Sequence, residues 1–495
     1  MMPLFRPPVM RSHHSLSHGL LIVLVFVLVL CSSRLHAREI TDKQVTLAVE
    51  NELLHDQRVP TRLLTVQTHE GVVTLSGSVR NLVAKERAAD IAETVKGVRS
   101  VVNRIHVDPP PRSDGEIRQD IRETLVSDPA TESFEVDVMV QNGTATLTGQ
   151  VDSWQEKRLC AQIAKGVRGV RDVQNDILVE YKASRSDTEI KADIVQRLAW
   201  DVRVEDTGID VHVNNGFVTL TGTVRSAAEK TQAEADAWVV GVRDVDARDL
   251  TVDWRLTVRR PFDPVRSDTE IKGAIRDAFR YDPRVIHFNP DVEVNRGVVT
   301  LTGVVDNLRA KKAAEQDAMN TVGVRRVKNY LKIRRAYWPG DAEIQKRVRE
   351  ALLENPQIGP HDIRVSSVDG KVFLSGVVNT RRDRLLAGNI ASTVKGVAEI
   401  QNNIEVRDID RGKTDLEIKE DIEDELWWSP FVDSGEVTVT VRDGVAILTG
   451  VVDDWDESRV ATENAYEGGA CNVRNHLKVR IDPTYYKRHG IKPPE

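Results

Sequence analysis

The sequence predicts an α+β protein of six tandem αββαβ modules, each a three-stranded sheet with two helices on one face. Three recurrences predict it. GVVTLSGSV at Gly71 returns as GTATLTGQV at Gly143, GFVTLTGTV at Gly216, GVVTLTGVV at Gly297, GKVFLSGVV at Gly370 and GVAILTGVV at Gly444. A helix-start signature stands 30 residues before each of these glycines. A second glycine, followed by another alternating run, comes after each. At 495 residues the chain exceeds what one core fills, and repetition at this period divides it.

The N-terminus reads as a targeting segment. Arg6 and Arg11 precede an apolar run of twelve residues over 20–31, too short for the ~20 residues a bilayer needs but suited to a secretory signal. Leu35 and Ala37 form a cleavage site before Arg38, an uncleaved anchor being the alternative. Lipidation at Cys31 is the weaker reading, because Leu30 stands where such signals carry a small residue. Cleavage leaves 66 basic and 76 acidic residues, a net charge of −10, which argues against nucleic-acid binding. Cys160 and Cys471 remain, too few for a disulfide framework.

Each module opens on a helix. Thr41, Ser113, Ser186, Ser267 and Thr414 stand three residues before Gln44, Glu116, Glu189, Glu270 and Glu417, the spacing of a capping box, with Gly340 and Glu343 in the fifth copy. Ile117, Ile121 and Leu125, or Ile418, Ile422 and Leu426, then recur at four-residue steps as one buried stripe. Steps such as Asp128-Pro129, Asp282-Pro283, Asn355-Pro356 and Ser429-Pro430 end these helices, since proline disfavours helix in the residue before it. An alternating strand leads into the N-G or D-G turns at Asn142, Asn215, Asp369 and Asp443, and the recurring motif is the returning strand. A second helix, over 81–96 in the first copy, is expected to end at a C-cap glycine: Gly97, Gly169, Gly241, Gly323, Gly396 or Gly469. A third strand closes the unit.

The repeat interval runs 72, 73, 81, 73 and 74 residues, so the long one holds a longer linker, over 254–266. Other linkers are expected at 109–111, 336–340 and 407–413. The modules are expected over 40–108, 113–181, 186–253, 267–334, 340–407 and 414–481, after a signal peptide over 1–37 and before a tail over 482–495. Semi-rigid linkers suggest a string of modules that touch neighbours, not a continuous solenoid.

The αββαβ unit, the G-x-V-x-L-[ST]-G-x-V strand and the later G-V-x-x-V-x-N step resemble the BON domain of bacterial envelope proteins. Gly169-Val170 through Asn175 shows the last step, while Ala247 and Ala470 depart from it in copies three and six. The resemblance implies an exported, non-enzymatic, multivalent protein that attaches to phospholipid surfaces in the periplasm under osmotic or envelope stress. Its alternative is a chaperone-like or scaffolding role with exported proteins, and polysaccharide binding comes third.

The residues themselves carry no catalytic constellation. Leu75-Ser76-Gly77 lacks the G-x-S-x-G elbow and lies inside a strand. No P-loop or G-x-G-x-x-G occurs, and the histidines show no metal-ligand spacing, so neither cofactor nor metal is expected. Asp and Glu fall mostly on helix faces beside Lys or Arg, where solvation is the default. Aromatic residues at the end of the first helix are less ordinary: Trp200, Tyr281 and Trp428, joined in the sixth copy by Trp427 and Phe431. Trp427 and Trp428 point about 100° apart and cannot share the narrow stripe. Packing against the hairpin edge or the next module is the plain reading. Contact with a lipid headgroup layer or an unfolded partner is the functional one. The sixth copy's helix carries six acids over 417–425 against Lys419, so ring insertion with little salt dependence is expected there. Trp154 and Trp455, at the start of the second helix, are expected to be core or staple residues.

Overall fold

Each hairpin turns where two consecutive residues take positive φ, as Asn142 and Gly143 do at 51° and 77°. In the computed structural model, residues 40–480 are described apart from 57–58, 60–62, 128–130, 132–134, 182–183, 257–265, 335–338, 355–357, 359–360, 379–380, 393, 395 and 407–412. The expected signal peptide, the C-terminal tail and the steps Asp128-Pro129 and Asn355-Pro356 lie outside the described residues.

Module 1 comprises α1 (Asp42–His55), β1 (Leu64–His69), β2 (Val72–Val79), α2 (Leu82–Glu93) and β3 (Ser100–Val107). Module 2 follows with α3 (Asp114–Ser127), β4 (Glu135–Gln141), β5 (Thr144–Val151), α4 (Trp154–Lys165), β6 (Asp172–Asn175) and β7 (Leu178–Val179). Module 3 has α5 (Asp187–Trp200), β8 (Ile209–Asn214), β9 (Phe217–Val224), α6 (Ala227–Ala237), β10 (Asp244–Asp246) and β11 (Leu250–Val252). Module 4 has α7 (Asp268–Tyr281), β12 (Asp291–Asn295), β13 (Val298–Thr302), β14 (Val304–Val305), α8 (Leu308–Met319), β15 (Arg326–Asn329) and β16 (Lys332–Ile333). Module 5 has α9 (Asp341–Glu354), β17 (Ile363–Val368), β18 (Lys371–Val378), α10 (Arg381–Ser392) and β19 (Glu399–Val406). Module 6 has α11 (Asp415–Trp428), β20 (Val437–Arg442), β21 (Val445–Val452), α12 (Trp455–Glu467) and β22 (Asn472–Val479).

The recurring motif is the central strand of each module, split at Gly303 into β13 and β14 in module 4. It pairs antiparallel with its hairpin partner and parallel with the third strand, as β2 does with β1 and β3. Its internal glycine lies against the partner strand: a Cβ on Gly77 would stand 1.9 Å from the Leu63 carbonyl oxygen. The inward residues alternate with outward ones and meet the stripe of the first helix. In module 3 Val218 and Leu220 join Ile190, Ile194, Leu198, Ala233 and Ala237 in one core.

One carboxylate explains the constant 30-residue spacing. The first residue of each opening helix is Asp, and it accepts hydrogen bonds from two backbone N–H groups of the hairpin turn. Asp42 takes Glu70 and Gly71 at 2.8 and 3.0 Å, Asp114 takes Asn142 and Gly143 at 2.8 and 2.9 Å, and Asp187 takes Asn215 and Gly216 at 2.8 and 2.9 Å. Asp268, Asp341 and Asp415 repeat the contact in modules 4, 5 and 6 at 2.8–3.0 Å. The capping box sits beside it, with both hydrogen bonds present at Ser186, Ser267 and Thr414. The motif's Asn works at mid-sheet, beside the central Leu: Asn103, Asn175, Asn329, Asn402 and Asn475 each donate to a carbonyl of the second helix at 2.6–3.0 Å.

Three expectations are corrected. The second helix stops two to four residues before its glycine, and Gly169 instead holds a turn at φ 96° where a Cβ would meet Ile117 Cδ1 at 2.9 Å. The third strand is broken in modules 2, 3 and 4, where β6/β7, β10/β11 and β15/β16 stand in for one strand, turning Ile177 and Leu331 into the core. The modules are not a string. From Asp42 onward the chain forms one compact unit, in which modules distant in sequence touch. Lys96 N–H of module 1 donates to the Trp428 carbonyl of module 6 at 2.9 Å, and Thr231 of module 3 donates to Glu93 of module 1 at 2.9 Å.

Replacing Asp268 by Ala removes two hydrogen bonds to a charged acceptor, each worth about 1.5–3 kcal/mol and less where solvent reaches it. The expected cost is about 2 kcal/mol, read as selective proteolysis of module 4 at urea concentrations the parent resists. Unchanged resistance would rule out the clamp.

Candidate functional site

The aromatic residues gather at the junctions between modules. Modules 3 and 4 exchange them: Trp200 packs against the core of module 4, and Tyr281 against the core of module 3. The chain just past α5 meets the chain just past α8 as a short antiparallel bridge, Asp201 to Thr321. Val322 N–H donates to the Trp200 carbonyl and Val202 N–H to the Asn320 carbonyl, both at 3.0 Å. Each ring carries a cation on its face, with Arg266 4.7 Å from Trp200 and Arg197 4.3 Å from Tyr281.

A cavity of about 610 Å³ lies at this junction, walled also by Trp154 and Arg158 of module 2. Two buried carboxyl pairs, related by the repeat, face it: Asp201 with Asp236, and Asp282 with Asp317. Asp201 and Asp282 bind Arg203 and Arg284, two residues further along the chain, at 2.5 Å. Burial opposes ionisation of Asp201, but the Arg203 guanidinium outweighs it and holds the carboxyl below its ordinary value. Burial, with ionised Asp201 beside it, pushes Asp236 up to about 7, against Arg197 and Arg203. Burial and the neighbouring Asp282 likewise push Asp317 well above the carboxylate range, against Arg284 and Arg203. Asp317 as a residue is half-buried, yet its Oδ2 is shut off from solvent, and neither that atom nor Asp236 Oδ2 meets a donor. A proton on each turns the contact within the pair into a hydrogen bond, the arrangement of two carboxyls that cannot both ionise.

Module 6 meets module 1 in the same way. The Trp428 carbonyl accepts from Lys96 N–H, while Lys96 Nζ donates to the Trp427 carbonyl at 2.5 Å and stands 5.3 Å from the Trp427 ring. Trp427 and Trp428 meet edge to face, centroids 4.5 Å apart. Both are half-buried, as is Phe431, which lines a cavity of about 430 Å³ shared by modules 3, 4 and 6. Trp154 and Trp455, expected as core or staple residues, are half-buried and meet groups of other modules. Trp154 stacks on Trp238 of module 3 at 5.0 Å, and Trp455 carries Arg325 of module 4 at 5.7 Å. Near the module 6 contact with module 1, Glu52, Glu425 and Glu467 bring carboxylate oxygens within 4.8 Å of one another.

The BON domain profile matches residues 41–109, 113–181, 186–253, 267–335, 340–408 and 414–481. The chain belongs to the BON domain family. The osmotically-inducible protein Y of Escherichia coli (strain K12) is 32% identical over 145 residues, 28% of this chain and 71% of that protein. The outer membrane lipoprotein DolP of Haemophilus influenzae is 31% identical over 114 residues, 22% of this chain and 59% of that protein. A solved structure of CdsD, a structural protein of the type III secretion system of Chlamydia trachomatis, is 17% identical. It covers 46% of this chain and all of its own, at a TM-score of 0.14, and carries no argument here.

Aligned on their hairpin glycines, the BON modules fall into two kinds. Modules 1, 2 and 5 place Ile91, Ile163 and Ile390 on the second helix, whereas modules 3, 4 and 6 place Asp236, Asp317 and Asn464 there. The polar residue accompanies the aromatic: Trp200, Tyr281 and Trp428 occur in the second kind, His55, Ser127 and Glu354 in the first. The reading of acids as solvated helix surface is therefore corrected at Asp236 and Glu425, which are 4% and 8% exposed. This internal covariation was the available signal for Asp236.

The raised carboxyls set a direction for pH. A proton held more tightly in the folded state stabilises it fully below the unfolded carboxyl value of about 3.9, and that stability is lost as pH rises through about 7 at Asp236. The expected loss is at most about 1.4 kcal/mol per pH unit for each such proton. Asp236→Asn with Asp317→Asn keeps a neutral donor, as Asn464 does in module 6, and should flatten the fall. Thermal midpoints at pH 5, 7 and 9 measure it; parallel profiles of parent and variant would show that neither site holds a proton.

Proposed function

We propose that this BON protein is an exported, non-enzymatic attachment protein of the bacterial envelope that binds phospholipid surfaces and serves under osmotic or envelope stress. Its relatives' names point there: one protein is osmotically inducible, another an outer membrane lipoprotein. What carries the reading in the geometry is the contrast between junctions and sheet faces. Junctions take up aromatic rings and buried carboxyls, while the outward sheet faces, such as Thr438 and Thr440 of module 6, remain exposed. Several weak faces on one body gain avidity without a deep pocket. No helix among the described residues is long and apolar enough to cross a membrane.

In this reading Trp427, Trp428, Phe431, Trp200 and Tyr281 act between modules and not in lipid. A second reading, binding of exported proteins, draws on one observation. Leu54, Val126 and Leu353 occupy the same place at the end of the first helix in the three modules without the aromatic, and are 61%, 65% and 61% exposed. Vesicle flotation of the full chain beside a client-aggregation assay separates the two. Flotation with vesicles and no suppression of aggregation is expected; the reverse would transfer the function to protein partners. Trp427→Ala with Trp428→Ala should lower the thermal midpoint while vesicle binding per folded molecule is kept. Loss of binding with folding intact would return these rings to the lipid.

A further inference from the structure

Module 6 separates its charges by face. Ala446, Leu448 and Val452 of β21 point into the core with Ile418, Ile422 and Ala461 of the two helices. The alternate residues Val445, Ile447, Thr449 and Val451 must therefore point away from the helices. The strand register places Arg442 and Asn472 on either side of Val445, Arg474 beside Ile447, His476 beside Thr449 and Lys478 beside Val451. Arg442, Arg474, His476 and Lys478 are all exposed. The outward face thus has an apolar centre on β21, with Arg442 at the end of one margin beyond Thr438 and Thr440, and Arg474, His476 and Lys478 along the other. The acids of α11 lie on the opposite side of the sheet.

None of Arg442, Arg474 and Lys478 has an acidic partner among the described residues. Glu436, the acid at the edge of this face, is held by Arg480 at 2.6 and 2.7 Å. The fold does not require this charge. The corresponding faces of modules 2 and 3 carry Glu135, Asp137 and Asp172, and Asp210, Asp244 and Asp246. A basic face on a chain of net charge −7 is a local property, and it acts at contact range, within a Debye length of about 8 Å at physiological salt.

We infer that the outward sheet face of module 6 is the surface that docks on an anionic bilayer, an assignment that rests on the phospholipid reading above. Charge complementarity selects the partner, and the apolar centre selects a bilayer over a polyanion. A nucleic-acid surface would call for aromatic platforms or a groove that tracks a backbone, whereas this face presents the aliphatic Val445, Ile447 and Val451. Each cation near an anionic membrane strengthens binding roughly fivefold, so three act on the order of 100-fold, and salt screens them.

The test is co-sedimentation of the full chain with phosphatidylglycerol-containing vesicles and with phosphatidylcholine vesicles, at low and high salt. The variant is Arg442→Glu/Arg474→Glu/Lys478→Glu. A charge-matched control, Arg118→Glu/Arg122→Glu/Lys191→Glu, alters exposed positions on α3 and α5. Circular dichroism confirms that both fold. The parent should bind the anionic vesicles in low salt and release them in high salt. Because each Glu adds repulsion to the attraction removed, the module 6 variant should lose at least about 100-fold and the control less than threefold. Equal binding by the two variants overturns the assignment of the face and leaves the lipid reading standing, as does equal binding of the parent to both vesicle types. No binding of the parent to either overturns both. Retention on a heparin matrix without vesicle binding would reassign the face to a polyanion.

Discussion

Two backbone N–H groups at the tip of each hairpin point at one carboxylate at the start of the preceding helix, and the rest of the module follows from that contact. The turn needs positive φ at both central residues, so its amides converge outward and want an anion. Asp42, Asp114, Asp187, Asp268, Asp341 and Asp415 supply it while also standing at the positive end of a helix. One side chain thereby fixes the helix against the hairpin at a set distance along the chain. With that distance fixed, the stripe of Ile and Leu on the helix can meet only one face of the central strand. A one-residue slip would turn that face to solvent.

The same modules are then joined by a different kind of chemistry. At the junction of modules 3 and 4 the aromatic ring that ends each first helix packs against the neighbour's core, as Trp200 and Tyr281 do reciprocally. The second helix of modules 3, 4 and 6 exchanges a buried Ile for Asp236, Asp317 or Asn464. Apolar packing within a module is given up there for a polar contact at the junction, where burial pushes the Asp236 and Asp317 carboxyls up. The junctions thus gather aromatic rings and buried carboxyls.

The outward sheet faces share one backbone and differ in charge. The central strand's outward side is mostly Thr, Ser or Val, which any solvated sheet accepts, so the flanking strands alone decide whether a face attracts or repels an anionic surface. Modules 2 and 3 present carboxylates and module 6 presents guanidinium and ammonium groups. A chain that is acidic overall can in this way carry a basic surface on one module.

The sequence by itself determined the module: its period, its order of helices and strands, its capping boxes and its hairpins. These rest on local rules, namely alternation, four-residue steps and turn residues, and on a spacing that one carboxylate enforces. It also marked Trp200, Tyr281, Trp427, Trp428 and Phe431 as unusual, and the two kinds of module can be read by aligning the repeats. What only the tertiary structure decided is which modules meet. Trp428 reaches Lys96 across more than 300 positions of sequence, and nothing local to either residue encodes that distance. The role of the clamp Asp, the burial of Asp236 and the gathering of Arg442, Arg474 and Lys478 on one face depend likewise on strand register and packing. A residue's chemistry is written at its position, but its surroundings are supplied by segments far away.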